Sequence, residues 1–202
     1  MIINSVLIQN KVSVFCHSEV YSAKCFTTDQ THLFTNRSIN FLYGEIDSGG
    51  WAISYLISMC KYRPKDFVFF DKQHIEINDV VASYNELADY SCYLDRIHPL
   101  FSKKTTVEKT IRSSLSKANN SYSYEDVLKL FQLSKERINR PLQAVGNEIF
   151  QAMAAIGYCQ GKQIFCFPWQ SKKRYDYYRP HLDALFGTLE SLGKTVIIPI
   201  GL

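Results

Sequence analysis

The sequence predicts an α/β fold in which helices cover a parallel β-sheet and antiparallel strands precede it. Two nearly continuous apolar segments late in the chain, KQIFCFPW (162–169) and TVIIPIG (195–201), are typical of strands buried on both faces. Helical segments alternate with these strands, which favours a parallel sheet. The length of 202 residues and an apolar fraction of 46% fit one ordinary domain with a sizeable core.

The first part of the chain predicts short strands, because β-branched and aromatic runs such as SVLIQ and KVSVFC alternate with turn residues. The last of them, SINFLY (38–43), runs into a glycine-containing turn. WAISYLISMCK (51–61) follows with apolar residues at helical spacing, so a helix is expected there. KDFVFF (65–70) and CYL (92–94) are further strand candidates.

The second part of the chain is mainly helical. From Thr105 to Arg140 it is polar, with apolar residues on helical stripes. EIFQAMAAIGYC (148–159) predicts a buried helix. RPHLDALFGTLESLGK (179–194) predicts an amphipathic helix with Pro180 near its start and Gly193 at its end.

Charge and composition exclude several classes of protein. The net charge of +4 is too mild to predict a nucleic-acid-binding face. The N-terminus has no basic residues before its short apolar run, and no window reaches the roughly 18–20 apolar residues of a membrane span. We therefore expect a cytoplasmic protein that reaches a membrane only through a partner.

Six cysteines without a C-x-x-C pair predict free thiols and no metal site.

Partial motifs follow one another along most of the chain, in LYGEIDSGGWA, CYLDRIHPLFSKKTTVEKTI, QAVGNEIFQAMAAIGYCQGKQIFCFPW and LDALFGTLESLGKTVIIPIG. In this order they resemble the nucleotide-binding domain of the ATP-binding cassette (ABC) family, which belongs to the P-loop NTPases. The resemblance implies a single three-layer ABC-ATPase-like domain over 1–202. Its core would comprise about 1–95 and 148–202, and a helical subdomain would occupy about 100–146.

The turn after SINFLY resembles the family's phosphate loop, whose backbone N–H groups bind phosphate at a helix N-terminus. Where the family carries a lysine and a magnesium-binding hydroxyl, this chain has Gly50 and Trp51. The turn is therefore either a packing feature or a residual site for ATP without tightly bound magnesium. The Trp51 ring either fills the space that the family uses for the metal and the β-phosphate, which we favour, or stacks on adenine. The candidate nucleotide-binding residues are Gly44, Ser48, Gly49 and Gly50.

The other catalytic positions of the family are also altered. The resemblance places Pro168 and Trp169 where the family has an aspartate and a glutamate, and Gly201 where it has a histidine. Asp95 stands in place of a glutamine and is interpreted as a solvated loop carboxylate. Phosphoryl transfer requires positioning and charge neutralisation of the triphosphate, so we expect ATP hydrolysis to be absent or very slow. Surface charges are expected at Asp79, Glu86 and Asp89, and a loop residue at His98.

A partner surface is expected where the family's dimers meet. The segment 144–148 corresponds to the family's Ser-Gly-Gly element and keeps Gly146 but not the serine. SKKRYDYYRP (171–180) interleaves cations with tyrosines, which fits a protein partner, a solvated face or a nucleic-acid contact; we favour the protein partner. The predicted interface comprises Val145, Gly146, Asn147, Glu148, Arg174 and Tyr175.

Together these interpretations predict a non-hydrolysing ABC-type subunit without catalytic residues. It would form a homodimer, or a heterodimer with an ABC ATPase subunit, and support a membrane-spanning transporter. Nucleic acid is not expected as a partner. Two other interpretations stay open: a weak ATPase that uses non-standard residues, and an autonomous protein-interaction scaffold.

Overall fold

The structure of the chain is a computed structural model, and the residues that it describes form three β-sheets, one parallel and two antiparallel. The α/β class predicted from the sequence is confirmed. The structure describes residues 2–9, 12–16, 24–28, 31–45, 50–69, 74–101, 105–117 and 122–202.

Among the described residues, strands predominate in the first half of the chain and helices in the second. The strands are Ser5–Gln9 (β1), Val12–Cys16 (β2), Lys24–Thr28 (β3), His32–Thr35 (β4), Ser38–Tyr43 (β5), Phe67–Phe69 (β6), His74–Ile77 (β7), Val80–Ala82 (β8), Ser91–Tyr93 (β9), Ile164–Cys166 (β10) and Thr195–Ile200 (β11). The α-helices are Gly50–Met59 (α1), Tyr84–Tyr90 (α2), Val107–Lys117 (α3), Tyr124–Leu130 (α4), Lys135–Ile138 (α5), Ile149–Cys159 (α6) and Lys172–Ser191 (α7).

The parallel sheet has the strand order β5-β11-β10-β9, and each neighbouring pair runs parallel. Every residue of β9, β10 and β11 is buried. Strands covered on both faces need apolar side chains at successive positions, which explains why IFC and TVIIPI stand out in the sequence. The expected buried strands late in the chain are therefore confirmed.

Helices cover both faces of this sheet, and β11 shows the division. Val196 and Ile198 belong to a hydrophobic cluster that includes residues of α3, α6 and α7. Ile197, which points to the opposite face, belongs to a second cluster with residues of α1 and α2. Because side chains alternate along a strand, one strand contributes to both layers of a three-layer core.

Two antiparallel sheets, ordered β4-β1-β7-β8 and β3-β2-β6, form the early part of the chain, as the short strands predict. The β7–β8 hairpin was not expected. Its turn residues Asn78 and Asp79 have φ of 52° and 62°, a left-handed conformation that Asn and Asp tolerate. The Asn78 side chain also accepts hydrogen bonds from the backbone N–H groups of Asn4 (2.7 Å) and Ser5 (3.2 Å), which ties the turn to β1.

The helical stretch predicted from Thr105 to Arg140 contains α3, α4 and α5. Val127 and Phe131 from this stretch are buried in the same cluster as Phe165 of the parallel sheet. The proposed boundaries, with a core at about 1–95 and 148–202 and a helical subdomain at about 100–146, stay a prediction.

Helix α7 is longer than expected. It begins at Lys172 and not near Arg179, because the Ser171 hydroxyl caps it by accepting a hydrogen bond from the Arg174 backbone N–H (3.3 Å). Pro180 therefore lies inside the helix, where it removes one backbone donor without ending the helix. Gly193, at φ 72°, follows the helix end as predicted.

Four cysteines, Cys60, Cys92, Cys159 and Cys166, are free and buried, as expected for thiols in a core. Burial raises the pKa of Cys60 to about 11 and that of Cys92 to about 12, so both remain protonated at neutral pH. The side chains of Cys16 and Cys25 lie outside the described part of the structure.

Candidate functional site at the carboxyl edge of the parallel sheet

The carboxyl ends of β5, β10 and β11 meet at one edge of the parallel sheet. Beyond β5 the chain turns at Gly44 and enters α1 at Gly50; beyond β10 and β11 lie Trp169 and Gly201. In open α/β folds, ligands bind outside this edge. The positions that the sequence singled out as altered are thus brought to the edge where a ligand is expected.

Gly44 is held on both sides of its backbone. Its N–H donates to the carbonyl of Ile200 (2.9 Å), and its carbonyl accepts a hydrogen bond from Trp169 Nε1 (3.1 Å). Its backbone φ of 152° lies in a region that residues other than glycine rarely adopt. Ser48, Gly49 and the side chain of Trp51 lie outside the described residues, so the phosphate-binding turn and the two interpretations of Trp51 stay predictions.

Trp169 is the residue whose role sequence reasoning missed. Its ring lies against Gly201, where an added Cβ would come within 2.9 Å of the ring carbon Cζ2. The indole thus spans the ends of β5 and β11, at a position where the family resemblance expects a carboxylate. The neighbouring Phe167 is fixed as well, since its carbonyl accepts a hydrogen bond from Ser54 Oγ of α1 at 2.6 Å. Trp169 contacts Gly44 and Gly201, which are far from it in the sequence, so no local sequence pattern indicated this role.

A cleft of about 480 Å³ opens beside this edge, between the loop after β9 and the starts of α6 and α7. It brings together Gly146, Asn147 and Arg174 of the predicted partner interface. Asp95 also borders it, and its Oδ1 accepts a hydrogen bond from the backbone N–H of Ile97 (3.2 Å), as a carboxylate in a loop does. The residues that line the cleft are Leu94, Asp95, Arg96, Gly146, Asn147, Ile149, Phe150, Met153, Pro168, Arg174 and Tyr178.

The remaining members of the predicted interface have local partners. Val145 is buried. Glu148 accepts hydrogen bonds from the backbone N–H (3.0 Å) and hydroxyl (2.8 Å) of Ser134, which fixes the start of α5. Tyr175 is half-buried and packs edge-on against Phe41 of β5, with ring centroids 6.2 Å apart. The structure holds a single chain, so the interface formed by these six residues stays a prediction.

His98 lies in the loop after β9, as expected, but it is almost fully buried, with 1% exposure. Its Nδ1 accepts a hydrogen bond from the backbone N–H of Leu100 (3.3 Å), and its ring packs edge-on to Tyr62. Burial, with a smaller contribution from the charge of Lys162, lowers the pKa of His98 from 6.5 to about 3. A neutral imidazole with these contacts holds the loop in place.

The acidic residues of the segment before this loop are exposed, as predicted for Asp79, Glu86 and Asp89. The Glu86 carboxylate accepts hydrogen bonds from the N–H and hydroxyl of Ser83 and caps α2. These hydrogen bonds lower the pKa of Glu86. The three carboxylates therefore have structural or solvated positions away from the sheet edge.

The strand order β5-β11-β10-β9 and the helical stretch between β9 and α6 together define a three-layer α/β fold. No protein-family model matches the chain, and no curated protein matches it significantly. Solved structures do match, and they show that the chain has the fold of ABC transporter ATP-binding domains.

Three of these structures illustrate the similarity. A protein from Pyrococcus furiosus described as an ABC transporter ATP-binding protein is 16% identical, with a TM-score of 0.63 over 96% of this chain and 90% of that one. An ATP-binding cassette in a dimeric post-hydrolysis state with ADP and Pi bound is 13% identical, with a TM-score of 0.62 over 97% and 87%. A bacterial Atm1-family ABC exporter with ATP bound is 12% identical, with a TM-score of 0.60 over 99% of this chain and 35% of the exporter.

At these identities the similarity concerns the fold alone. The exporter chain is much longer, and the match covers only 35% of it. Within the described residues of the present chain, no helix is both long enough and apolar enough to cross a membrane.

Proposed function

We propose that this chain is an ABC-type nucleotide-binding-domain subunit that does not hydrolyse ATP and gives structural or regulatory support to a membrane transporter or to an active ATPase subunit. The observation that carries this proposal is the hydrogen bond from Trp169 Nε1 to the carbonyl of Gly44 (3.1 Å). It places an indole, with no metal ligand and no base, at the end of the strand where this fold would present its carboxylates.

The chemistry of phosphoryl transfer supports the proposal. Hydrolysis needs a cation on the transferred phosphate, a magnesium ion and a residue that orients the attacking water. The corresponding positions are Gly50, Trp51, Pro168, Trp169 and Gly201, and none of these side chains is ionisable. The loss of one of these groups could be compensated, but the simultaneous loss of all of them is hard to rescue.

ATP binding without hydrolysis is a separate property of the glycine turn at Gly44, Ser48, Gly49 and Gly50. Thermal unfolding with and without millimolar ATP tests it, because a ligand of the native state stabilises by about 2.7 kcal/mol at a hundredfold excess over its dissociation constant. A midpoint increase that Gly49→Trp abolishes would make ATP a structural ligand of the turn. An unchanged midpoint would assign the turn to packing alone.

The supporting role requires a paired surface. Of the six residues predicted for it, Val145 is buried in the core of its own chain, so we assign the surface to Gly146, Asn147, Glu148, Arg174 and Tyr175. Arg174 is exposed and, within the described residues, forms no ion pair, which suits an interface contact. Arg179 on the same helix is a matched control, because it is also exposed and pairs with Asp183 of its own chain (3.5 Å).

Sedimentation velocity over a range of concentrations tests self-association. We expect a dimer that Arg174→Glu dissociates and Arg179→Glu leaves intact. A monomer at every concentration would remove the homodimer. The proposal would then require a different partner. Co-purification with an ABC subunit or a multi-span protein encoded by a neighbouring reading frame would test it. Stable association with a soluble protein only would favour the autonomous scaffold instead.

A further inference from the structure

The parallel sheet has an open edge at β5. In the part of the chain that the structure describes, β11 is the only neighbour of β5 in the sheet. None of the six residues of β5 is buried, whereas every residue of β9, the strand at the other edge, is buried. We propose that β5 of one chain pairs antiparallel with β5 of a second copy, which joins the two parallel sheets into one. This inference concerns a different surface from that of the proposed function and goes beyond it.

β5 lacks the features that usually prevent such pairing. Exposed edge strands are commonly very short, or they carry a charged residue, a proline or a bulge. The sequence of β5, SINFLY, has no charged residue and no proline, and β5 is the longest edge strand among the described residues. The other edge strands have three to five residues, and the longest of them, β3, begins with Lys24. The edge of β5 therefore carries no barrier of its own against a second strand.

The backbone of β5 directs three residues to this edge. The Gly44 N–H donates to the carbonyl of Ile200 at the end of β11 (2.9 Å). The hydrogen-bonding groups of successive residues in a strand point to opposite sides, so those of Ile39, Phe41 and Tyr43 point away from β11. An antiparallel pair of β5 strands centred on Phe41 would form about six backbone hydrogen bonds at these positions.

The side chains along this edge complement themselves about a twofold axis through Phe41. The Phe41 ring packs edge-on against Phe186 of α7 (ring centroids 6.4 Å apart) and stacks on Tyr43 (5.8 Å), so these residues share the α7 face of the sheet. An axis perpendicular to the sheet keeps that face common to both copies and sets Ile39 opposite Tyr43 of the second copy, a favourable β-branched and aromatic pair. Tyr43 is 65% exposed in the single chain, so pairing would remove its ring from water.

The charged residues that flank β5 fit the same register. Arg37 precedes the strand and Glu45 follows it, and both are exposed. They are equally far from Phe41 in the sequence, so the twofold axis brings Arg37 of each copy toward Glu45 of the other. A register shifted by two residues would lose this approach of opposite charges at both ends. The charge complementarity identifies a second copy, and not an unrelated strand, as the occupant of the edge.

Sedimentation equilibrium of the Arg174→Glu chain tests the proposal, because this variant disables the surface assigned under the proposed function. Small interfaces associate weakly, so we expect monomers at low micromolar concentration and dimers at concentrations on the order of 100 µM. Adding Tyr43→Pro removes one outward-facing N–H from each copy without affecting the bonds to β11, and it should weaken this association at least tenfold. Val81→Pro, at an exposed position of the edge strand β8, is the matched control and should leave the association unchanged.

Two further measurements locate the contact and check the fold. Amide hydrogen exchange of the Arg174→Glu chain, followed by NMR, should slow at Ile39, Phe41 and Tyr43 as the protein concentration rises. Urea denaturation establishes whether the Tyr43→Pro variant is folded. Tyr43→Lys keeps the backbone donor and places a charge on the exposed edge, and it should also weaken the association at least tenfold.

Three results would overturn the proposal: a chain that stays monomeric at the highest of these concentrations, an association that Tyr43→Pro and Val81→Pro change equally, and amide exchange at β5 that does not depend on concentration. The proposed function fails separately. An Arg174→Glu chain that is still dimeric at low micromolar concentration, and that Tyr43→Pro dissociates, would support pairing through β5 and reject the surface around Arg174.

Discussion

Lowering the pH from 7 to 4.5 is expected to destabilise the fold through His98. This imidazole is 1% exposed, accepts a hydrogen bond from the Leu100 backbone N–H through Nδ1, and has no hydrogen-bond partner at Nε2 in the part of the chain that the structure describes. Protonation would turn the acceptor at Nδ1 into a donor and bury a positive charge in a site that Lys162 already makes unfavourable for cations. The folded chain therefore keeps His98 neutral, whereas the unfolded chain protonates it.

The size of the effect follows from the two pKa values. The pKa of His98 falls from 6.5 to about 3 on folding, so its contribution is fully present above pH 6.5 and is lost as the pH falls toward 3. Between pH 6.5 and 4.5 only the unfolded chain takes up the proton, at about 1.4 kcal/mol per pH unit. The free energy of unfolding should therefore decrease by about 3 kcal/mol from this group by pH 4.5.

Urea denaturation at pH 7 and pH 4.5 measures this decrease. His98→Asn is the informative variant, because the asparagine carbonyl replaces Nδ1 as the acceptor but does not titrate in this range. We expect its loss of stability between the two pH values to be about 3 kcal/mol smaller than that of the unmodified chain. His181→Gln, at an exposed position on α7, is the control and should retain the full loss. An equal acid sensitivity of the His98 variant and the unmodified chain would refute the reasoning.

Three further predictions concern stability and are checked by urea denaturation at pH 7. Trp169→Ala should destabilise by about 3 kcal/mol, and Trp169→Phe, which loses the N–H donated to Gly44 and part of the ring but keeps an aromatic side chain, by about 1–2 kcal/mol; equal effects would mean that the ring does not pack at the sheet edge. Gly157→Ala should destabilise by about 1–3 kcal/mol, because its Cβ would lie 3.1 Å from a cysteine sulfur and a phenylalanine ring. Gly187→Ala, on α7 with nothing within 4 Å, should stabilise by up to about 1 kcal/mol, and the reverse order of the two glycine variants would contradict the packing of α6. Asn78→Ala should cost about 2 kcal/mol through its lost hydrogen bonds to β1 and its φ of 52°, and a neutral result would show that the turn does not depend on this side chain.

The parallel sheet could be predicted because burial on both faces leaves a direct mark on the sequence. The runs at 164–166 and 195–200 are apolar at nearly every position, and the structure places both in the middle of the sheet. The start of α7 could not be placed, because Pro180 gave a stronger local signal than the Ser171 cap that begins the helix. The β7–β8 hairpin was missed because its turn uses Asn78 and Asp79 without a glycine.

The candidate site could be predicted only in part. The resemblance to the ABC family predicted which positions differ from the family's catalytic groups, but the contact between Trp169 and Gly44 joins residues far apart in the chain. The cleft depends in the same way on three separate segments, which bring Arg96 and Arg174 together. Neither arginine has a local pattern that distinguishes it from Arg112 or Arg179. Such features follow from the packing of the whole domain and leave no periodic trace in the sequence.

The most direct test of the central claim, that this fold has lost its phosphoryl-transfer chemistry, is steady-state phosphate release from ATP by the purified chain. The reaction is followed with magnesium and with the magnesium chelated, beside a Gly49→Trp variant purified in the same way. We predict the same background rate in all three reactions, because Trp169 stands at the strand end where the family resemblance expects a carboxylate. Magnesium-dependent release that the Gly49→Trp variant lacks would contradict the claim and identify the chain as an ATPase that uses non-standard residues.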